Sequence, residues 1–397
     1  MTRTPPAREW TYLDNNATTR VDPRVVEAML PIFRENFANP SSSHSLGTAA
    51  ANSLRIARRQ VQLMIGATCE KEVVFTSGGS ESNSTAIFSA IEMQAGRDEI
   101  ITSTVEHPSV LAVCACLERS EKAKVHRISV DADGNLDLEA YRRALGARTA
   151  LVSIQWANNE TGVLFPVEML ASMAHQAGAL FHCDAVQAAG KIPVRMQSNE
   201  IDMLSISAHK VHGPKGAGAL YVRSGIRFEP LIRGGRQERG RRAGTENSAA
   251  IVGFGVAAEL ATQALPHEMP RIASLRDRLE REILRRVPGA IQIGGSNHRL
   301  PTTLNIAFES VEADSILLLL DRALIAASSG SACAAGSMDP SHVLRAMRVP
   351  FSYLRGSVRF SFSRENSERD VHRVLEVLPK LVNDLRVCSA PMEAAYG

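Results

Sequence analysis

Long apolar stretches, like-charge blocks and paired cysteines are all missing from this sequence, and each absence removes a class of protein. The longest run of Ile and Leu, residues 316–320, is ended by Asp321 and Arg322, whereas a helix that crosses a bilayer needs about 20 apolar residues. The opening MTRTPPAREWTYLDNN has no apolar centre of the signal-peptide kind. Lys and Arg number 45 against 42 Asp and Glu, for a formal charge of +3, and no basic block stands out. Nucleic acid and an anionic membrane are therefore not expected as partners. Six cysteines (Cys69, Cys114, Cys116, Cys183, Cys333 and Cys388) are scattered without a C-x-x-C pair. That spacing argues against a disulfide framework and against a zinc site. HKVHGPKGAG lacks the G-x-x-x-x-G-K-[ST] order, which excludes a P-loop nucleotide triphosphatase. The expectation is a soluble, cytoplasmic protein.

What is present points to a globular α/β protein. A chain of 397 residues with 44% apolar and 22% charged residues has room for two domains and a substantial core. From about residue 70 to 225, short β-rich runs alternate with helix-period segments: VVFT, EIITST, VHRISV, ALVSIQWA, ALFHCDA, DMLSISA and ALYVR. Such alternation predicts βαβ units and a mainly parallel, seven-stranded sheet covered on both faces. The last run follows GPKGAG after a short loop and is expected to join antiparallel. Beyond about Pro266 a long charged helix, TTLNIAFE, SVRFSFS and a final helix suggest a smaller α+β domain. The expected division is residues 20–265 for the large domain, and 1–19 with 266–397 for the small one.

In open α/β sheets ligands gather at the carboxyl ends of parallel strands. Here VVFT is followed by SGGSES, EIITST by VEHPS with His107, and VSIQWA by NNETG with Asn158 and Asn159. LFHC is followed by DAVQ with Asp184 and Gln187, and LSIS by AHKVHGPKG with His209 and Lys210. Each cluster alone reads as a cap, an Asx turn or a surface lysine. Five at five strand ends read as a site. A strand-end lysine can form a Schiff base with an aldehyde cofactor, an aspartate can pair with a protonated ring nitrogen, and a Gly/Ser helix start can hold a phosphate. That set fits pyridoxal phosphate. Cys333 stands apart, in SSGSACAAGS, where its neighbours are all small.

The strings YLDNNATT, NPSSSHSLG, FTSGGSES, EHPSV, NNETG, HCDAVQ, SAHKVHGPKG, RGGRQERGRRAGTEN, SSGSACAAGS, PSHVLRAM and VRFSFSR resemble, in order and over nearly the whole chain, the cysteine desulfurases. That family belongs to the class V aminotransferases of pyridoxal-phosphate fold type I. RGGRQERGRRAGTEN and the short C-terminus most resemble the nitrogen-fixation type. The resemblance implies that Lys210 is the Schiff-base lysine, that His107 stacks on the ring and shares in proton transfer, and that Asp184 holds the ring nitrogen. It places Gln187 at the ring hydroxyl, and Gly79, Ser80, Ser207 and His209 at the phosphate, with Thr245 reaching in from a second subunit. Family members commonly carry Thr where this chain has Ser80; a hydroxyl and an N–H survive the change. Asn159 and Arg359 bind the substrate carboxylate, with Asn158 the weaker of the two asparagines.

Cys333 is then the nucleophile: its thiolate attacks the sulfur of L-cysteine, alanine leaves, and a persulfide remains for an acceptor. The resemblance further implies a homodimer, a sulfur-acceptor scaffold protein for iron–sulfur clusters, and no resident metal, Cys333 being the one candidate for a transient iron–sulfur ligand. Three readings stay beside it. Selenocysteine lyase shares the scaffold, an ordinary class V aminotransferase makes Cys333 incidental, and an idle scaffold protein has no use for Lys210, Asp184, His107 and Cys333 together. Housekeeping iron–sulfur assembly stands as the alternative to nitrogenase maturation.

Overall fold

A computed structural model describes residues 9–295, 298–329 and 340–389. The chain opens with β1 (Thr11–Tyr12), α1 (Pro23–Arg34) and α2 (Ser45–Ile65). Asp22 caps α1 by accepting the Arg24 amide, with Pro23 in the first turn, where a missing N–H costs nothing. Gly66 ends α2 at φ +60°, a left-handed position that suits glycine.

The large sheet follows: β2 (Val73–Thr76), α3 (Gly79–Met93), β3 (Glu99–Ser103), α4 (Pro108–Arg119), β4 (Lys124–Ile128), α5 (Leu138–Ala144), β5 (Thr149–Gln155), α6 (Val167–Gln176), β6 (Leu180–Asp184), β7 (Met203–Ser207) and β8 (Gly218–Val222). Its order is β2-β8-β7-β6-β5-β3-β4. All seven expected runs are strands, and β8 pairs antiparallel with both β7 and β2 while the other pairs are parallel. β5 is buried at every residue, as a strand covered on both faces must be. The order reverses between β3 and β5, so the loops after those strands diverge and open a crevice.

The remainder comprises α7 (Ser248–Arg286), β9 (Ala290–Gln292), β10 (Thr303–Phe308), α8 (Ala313–Arg322), β11 (Ile325–Ala326), β12 (Ser328–Ser329), α9 (His342–Ala346), α10 (Phe351–Leu354), β13 (Ser357–Ser361) and α11 (Glu368–Ser389). β12, β13, β10 and β9 form a four-stranded antiparallel sheet. Two main cores result. The first fills the space around the large sheet and includes Val61, Phe75, Ile154, Phe181 and Phe254. The second joins Leu13, Ile272, Leu279, Leu304, Phe308, Val358, Phe360 and Leu378. Each large aliphatic or aromatic side chain so buried contributes about 1.5–3 kcal/mol before the entropy of ordering is subtracted.

No chain break separates the two cores. α7 runs unbroken past residue 265, with Pro266 and Pro270 inside it; Phe254 and Ala258 belong to the first core, Ile272 and Leu279 to the second. Its first half lies so close to α2 that a Cβ on Gly255 would stand 2.5 Å from Ala57 Cα. α1 packs on the large-sheet side, with Val25 in the first core. α9 also returns there, through Val343, Leu344 and Met347.

Candidate active site

Loops after β2, β3, β5, β6 and β7 meet around a cavity of about 520 Å³. Gly79, Ser80, His107, Asn159, Asp184, Gln187, Ser207, His209, Lys210 and Arg359 all line it. The structure therefore gathers ten of the expected site residues in one place. Thr245 is not among them: it borders a separate hollow with Ser77, Gly216 and Arg242. Asn158 spends its side chain on the loop, taking the Glu160 and Thr161 amides on Oδ1 and donating to the Val105 carbonyl. Cys333 lies outside the described residues.

At one end of the cavity α3 begins at Gly79, where a Cβ would meet Val186 Cγ2 at 2.7 Å, so glycine lets the helix start sit close against the loop after β6. β8 passes the preceding residue equally closely, a Cβ on Gly218 falling 2.6 Å from Gly78 Cα. Unpaired N–H groups at this helix start, with the Ser80 and Ser207 hydroxyls on the same cavity wall, make an anion cradle. His209 Nδ1 lies 3.2 Å from Thr18 Oγ1, and burial, with Lys210 and two further lysines, pushes its ring down to about 4, leaving it neutral.

Across the middle, Asp184 accepts from Asn83 Nδ2 at 2.7 Å and from the Val186 amide at 3.0 Å. His107 caps α4: its Nδ1 accepts the Ser109 amide at 3.1 Å, which puts the ring hydrogen of the neutral form on Nε2. Burial, then Lys210 and His342, lower its pKa against the pull of Asp184. Lys210 Nζ donates to the carbonyls of Asn16 (2.7 Å) and Ala17 (2.6 Å).

Asn16 is the residue that strand-end reasoning missed. Its amide N donates to Ser361 Oγ at 2.9 Å, and its Nδ2 to Thr303 Oγ1 at 2.9 Å and the Asn159 carbonyl at 3.1 Å. Its own carbonyl takes Gln187 Nε2 as well as Lys210. Lys191, buried behind it, donates to Asn16 Oδ1 and Gln187 Oε1, and burial with Lys210 and Arg359 drives its pKa far down. The YLDNNATT run carried no role because it precedes every strand of the large sheet.

Opposite stands Arg359, only 1% exposed, on β13. One arm donates to Asp14 Oδ1 at 2.7 Å and the other to the Asn159 carbonyl at 3.1 Å, while its Nε has no partner among the described residues. Two buried glutamates brace the crevice loops. Glu106 accepts from Ser103 Oγ and the Gln155 amide, yet burial outweighs both and pushes its carboxyl up to about 8. Glu160 accepts from Ser341 Oγ at 2.6 Å, and burial raises its pKa against Ser341, His342 and Arg359. Both glutamates stand in the strand-end strings VEHPS and NNETG, but only the fold reveals that they are buried braces.

The donor set suits pyridoxal phosphate on its chemistry: an anion cradle, an amine, a carboxylate, and an imidazole held by its own helix. Comparison with known proteins agrees. The aminotransferase class-V family pattern matches residues 11–374. A cysteine desulfurase from Gluconacetobacter diazotrophicus is 60% identical over 378 residues, 95% of this chain and 94% of that one. The cysteine desulfurase NifS of Azotobacter vinelandii is 54% identical over 375 residues, 94% of this chain and 93% of that one. Among solved structures, a NifS-like protein superposes with a TM-score of 0.89 at 36% identity, covering 95% of this chain and 100% of the other.

Proposed function

The chain belongs to the class-V aminotransferases and, within them, to the cysteine desulfurases, and on that premise we propose that it takes L-cysteine, releases alanine and keeps the sulfur as a persulfide on Cys333. The observation that carries this reading is a single cavity holding the Lys210 amine, the Asp184 carboxylate, the His107 imidazole and the buried Arg359 guanidinium.

Pyridoxal phosphate, when bound, supplies the electron sink for charge left at the substrate α-carbon. Gly79 and Ser80 would hold its phosphate at the start of α3, with Ser207 and His209, and with Thr245 from a second subunit. Lys210, whose amine rests on the carbonyls of residues 16 and 17, would be the residue to hold its aldehyde group. Asp184, kept in place by Asn83 and the Val186 amide, would pair with its ring nitrogen. Gln187 would serve the ring hydroxyl, and the His107 imidazole would cover the ring and move protons. Arg359 exchanges Asp14 for the substrate carboxylate, beside Asn159. The Cys333 thiolate then bonds to the substrate sulfur as the Cβ–S bond breaks, and the electrons of that bond stay with the carbon skeleton, which leaves as alanine after protonation.

The proposal extends to a cytoplasmic homodimer that passes sulfur to an iron–sulfur scaffold protein for nitrogenase maturation, the desulfurase part of it supported by the likeness to NifS of Azotobacter vinelandii. Cysteine turnover with mass mapping of the persulfide tests the reading. Cys333→Ala keeps the yellow colour and stops alanine and sulfide release; full activity in that variant would overturn it.

A further inference from the structure

Lys191 has no part in the roles above, although it is only 5% exposed and lies four residues beyond Gln187. Burying an amine is costly unless its N–H groups are met. Its Nζ donates to Gln187 Oε1 at 2.6 Å and to Asn16 Oδ1 at 3.1 Å, and Gln187 Nε2 donates to the Asn16 carbonyl at 3.0 Å. The three residues thus close a ring of hydrogen bonds. A neutral amine has two N–H groups to give, and here stand two neutral acceptors. The charged groups around Lys191 are cationic: Lys210 and Arg359 on the cavity side, and Arg364 across a hollow of about 40 Å³. His209 and His212 stand near as neutral rings. No acid among the described residues lines that hollow; Asp184 and Glu160 are the acids of the cavity in front.

The ring settles which end of the Gln187 amide serves the cavity. Turned over, its oxygen would oppose the Asn16 carbonyl, and two acceptors cannot pair. Oε1 is spent on Lys191 and one Nε2 hydrogen on Asn16. The second Nε2 hydrogen is left for an acceptor in the cavity that Gln187 lines. Asn16, held at Oδ1 by Lys191, presents the same carbonyl to Lys210 Nζ.

We propose that Lys191 is a positioning residue for the cofactor site, locking the Gln187 amide so that its remaining N–H serves the cofactor's ring oxygen. The inference rests on the placement of pyridoxal phosphate at Lys210 and needs no step of sulfur transfer. A donor on the ring oxygen stabilises its negative charge, which favours loss of the proton from the neighbouring link to Lys210. Without Lys191, Gln187 Oε1 and Asn16 Oδ1 are left buried and unmet. The amide is then free to turn, and the donor is lost.

The test is a pH titration of the visible absorbance of the full-length holoenzyme, without cysteine. Lys191→Met, close in length and unable to donate, is expected to raise the midpoint by about one pH unit. Gln187→Leu should raise it by a similar amount, and the double variant by no more than either, because the two residues act through one bond. Lys191→Gln keeps a donor and should move the midpoint back toward wild type. Urea midpoints are read in parallel, since a purely structural lysine lowers stability and leaves the titration where it was. An unshifted midpoint in Lys191→Met overturns the proposal. So do shifts that add in the double variant, which would have Lys191 act through charge instead. Failure of both Lys191 variants to fold also overturns it, by making the lysine a structural residue. A wild type that carries the cofactor on another lysine overturns the placement at Lys210, and this inference with it.

Discussion

In the large sheet, every residue of the cavity stands at or past the end of a strand; in the small sheet, Arg359 stands inside one. The difference follows from what covers each face. Helices cover both faces of the parallel sheet, so its strand interiors are apolar and polar groups collect at the rim. The small sheet has one apolar face only. Along β13, Val358 and Phe360 enter the second core while Ser357, Arg359 and Ser361 alternate to the other side. β10 repeats the pattern, with Leu304, Ile306 and Phe308 inward and Thr303 and Asn305 outward. That polar face closes over the rim of the large sheet, and Ser357, Asn305 and the Glu160 carbonyl are joined by hydrogen bonds across the seam.

The comparison can be broken at either side. Lys210→Ala, at the rim, should have the largest effect: loss of the visible absorbance and a fall in turnover on the order of 10³-fold or more. Mass mapping after borohydride reduction that finds the cofactor on Lys210 in the wild type supports the assignment; attachment elsewhere sinks it. Arg359→Ala, inside a strand, should raise the KM for cysteine by roughly 10–100-fold, since a charge-assisted hydrogen bond contributes about 1.5–3 kcal/mol, with the absorbance intact. Unchanged kinetics would remove the small sheet from substrate binding.

The smallest effect concerns Glu106. Burial raises its pKa to about 8 in the folded chain, against roughly 4.3 when unfolded. Between those values the folded state holds a proton that the unfolded state has lost, so stability declines as pH rises through the window and levels off above it. Wild type should lose on the order of 2 kcal/mol between pH 6 and 9 that Glu106→Gln does not, read from urea midpoints. Parallel pH curves for the two chains would show that Glu106 is ionised throughout.

How much was legible follows the same division. The large sheet announced itself because Val73, Ile100, Leu151 and their neighbours are β-formers between helix-period segments, and the strand-end rule then pointed to His107, Asp184 and Lys210. Arg359 came only by resemblance, because nothing local distinguishes a cavity arginine from a surface one in SVRFS. Asn16, Lys191, Glu106 and Glu160 escaped both routes. Their roles lie in contacts such as Asn16 to Ser361 and Glu160 to Ser341, and buried hydrogen-bond partners more than a hundred residues apart leave no local period. The unbroken α7 escaped for a different reason: Pro266 and Pro270 read as an interruption, yet the helix continues through them with both ends embedded in cores.

The reach of Asn16 also bears on how the molecule is made. Its hydroxyl partner Ser361 lies 345 residues further along the chain, so during synthesis the strap around residue 16 waits for nearly the whole polypeptide before it can dock. The seven-stranded sheet has all of its strands by residue 222 and can condense earlier, as contacts closer in sequence do. The carbonyls that receive Lys210 are among the first atoms made and among the last placed. Capture of the cofactor is thereby tied to the end of translation, and a chain cut short before β13 would carry a formed sheet with no finished place to bind it.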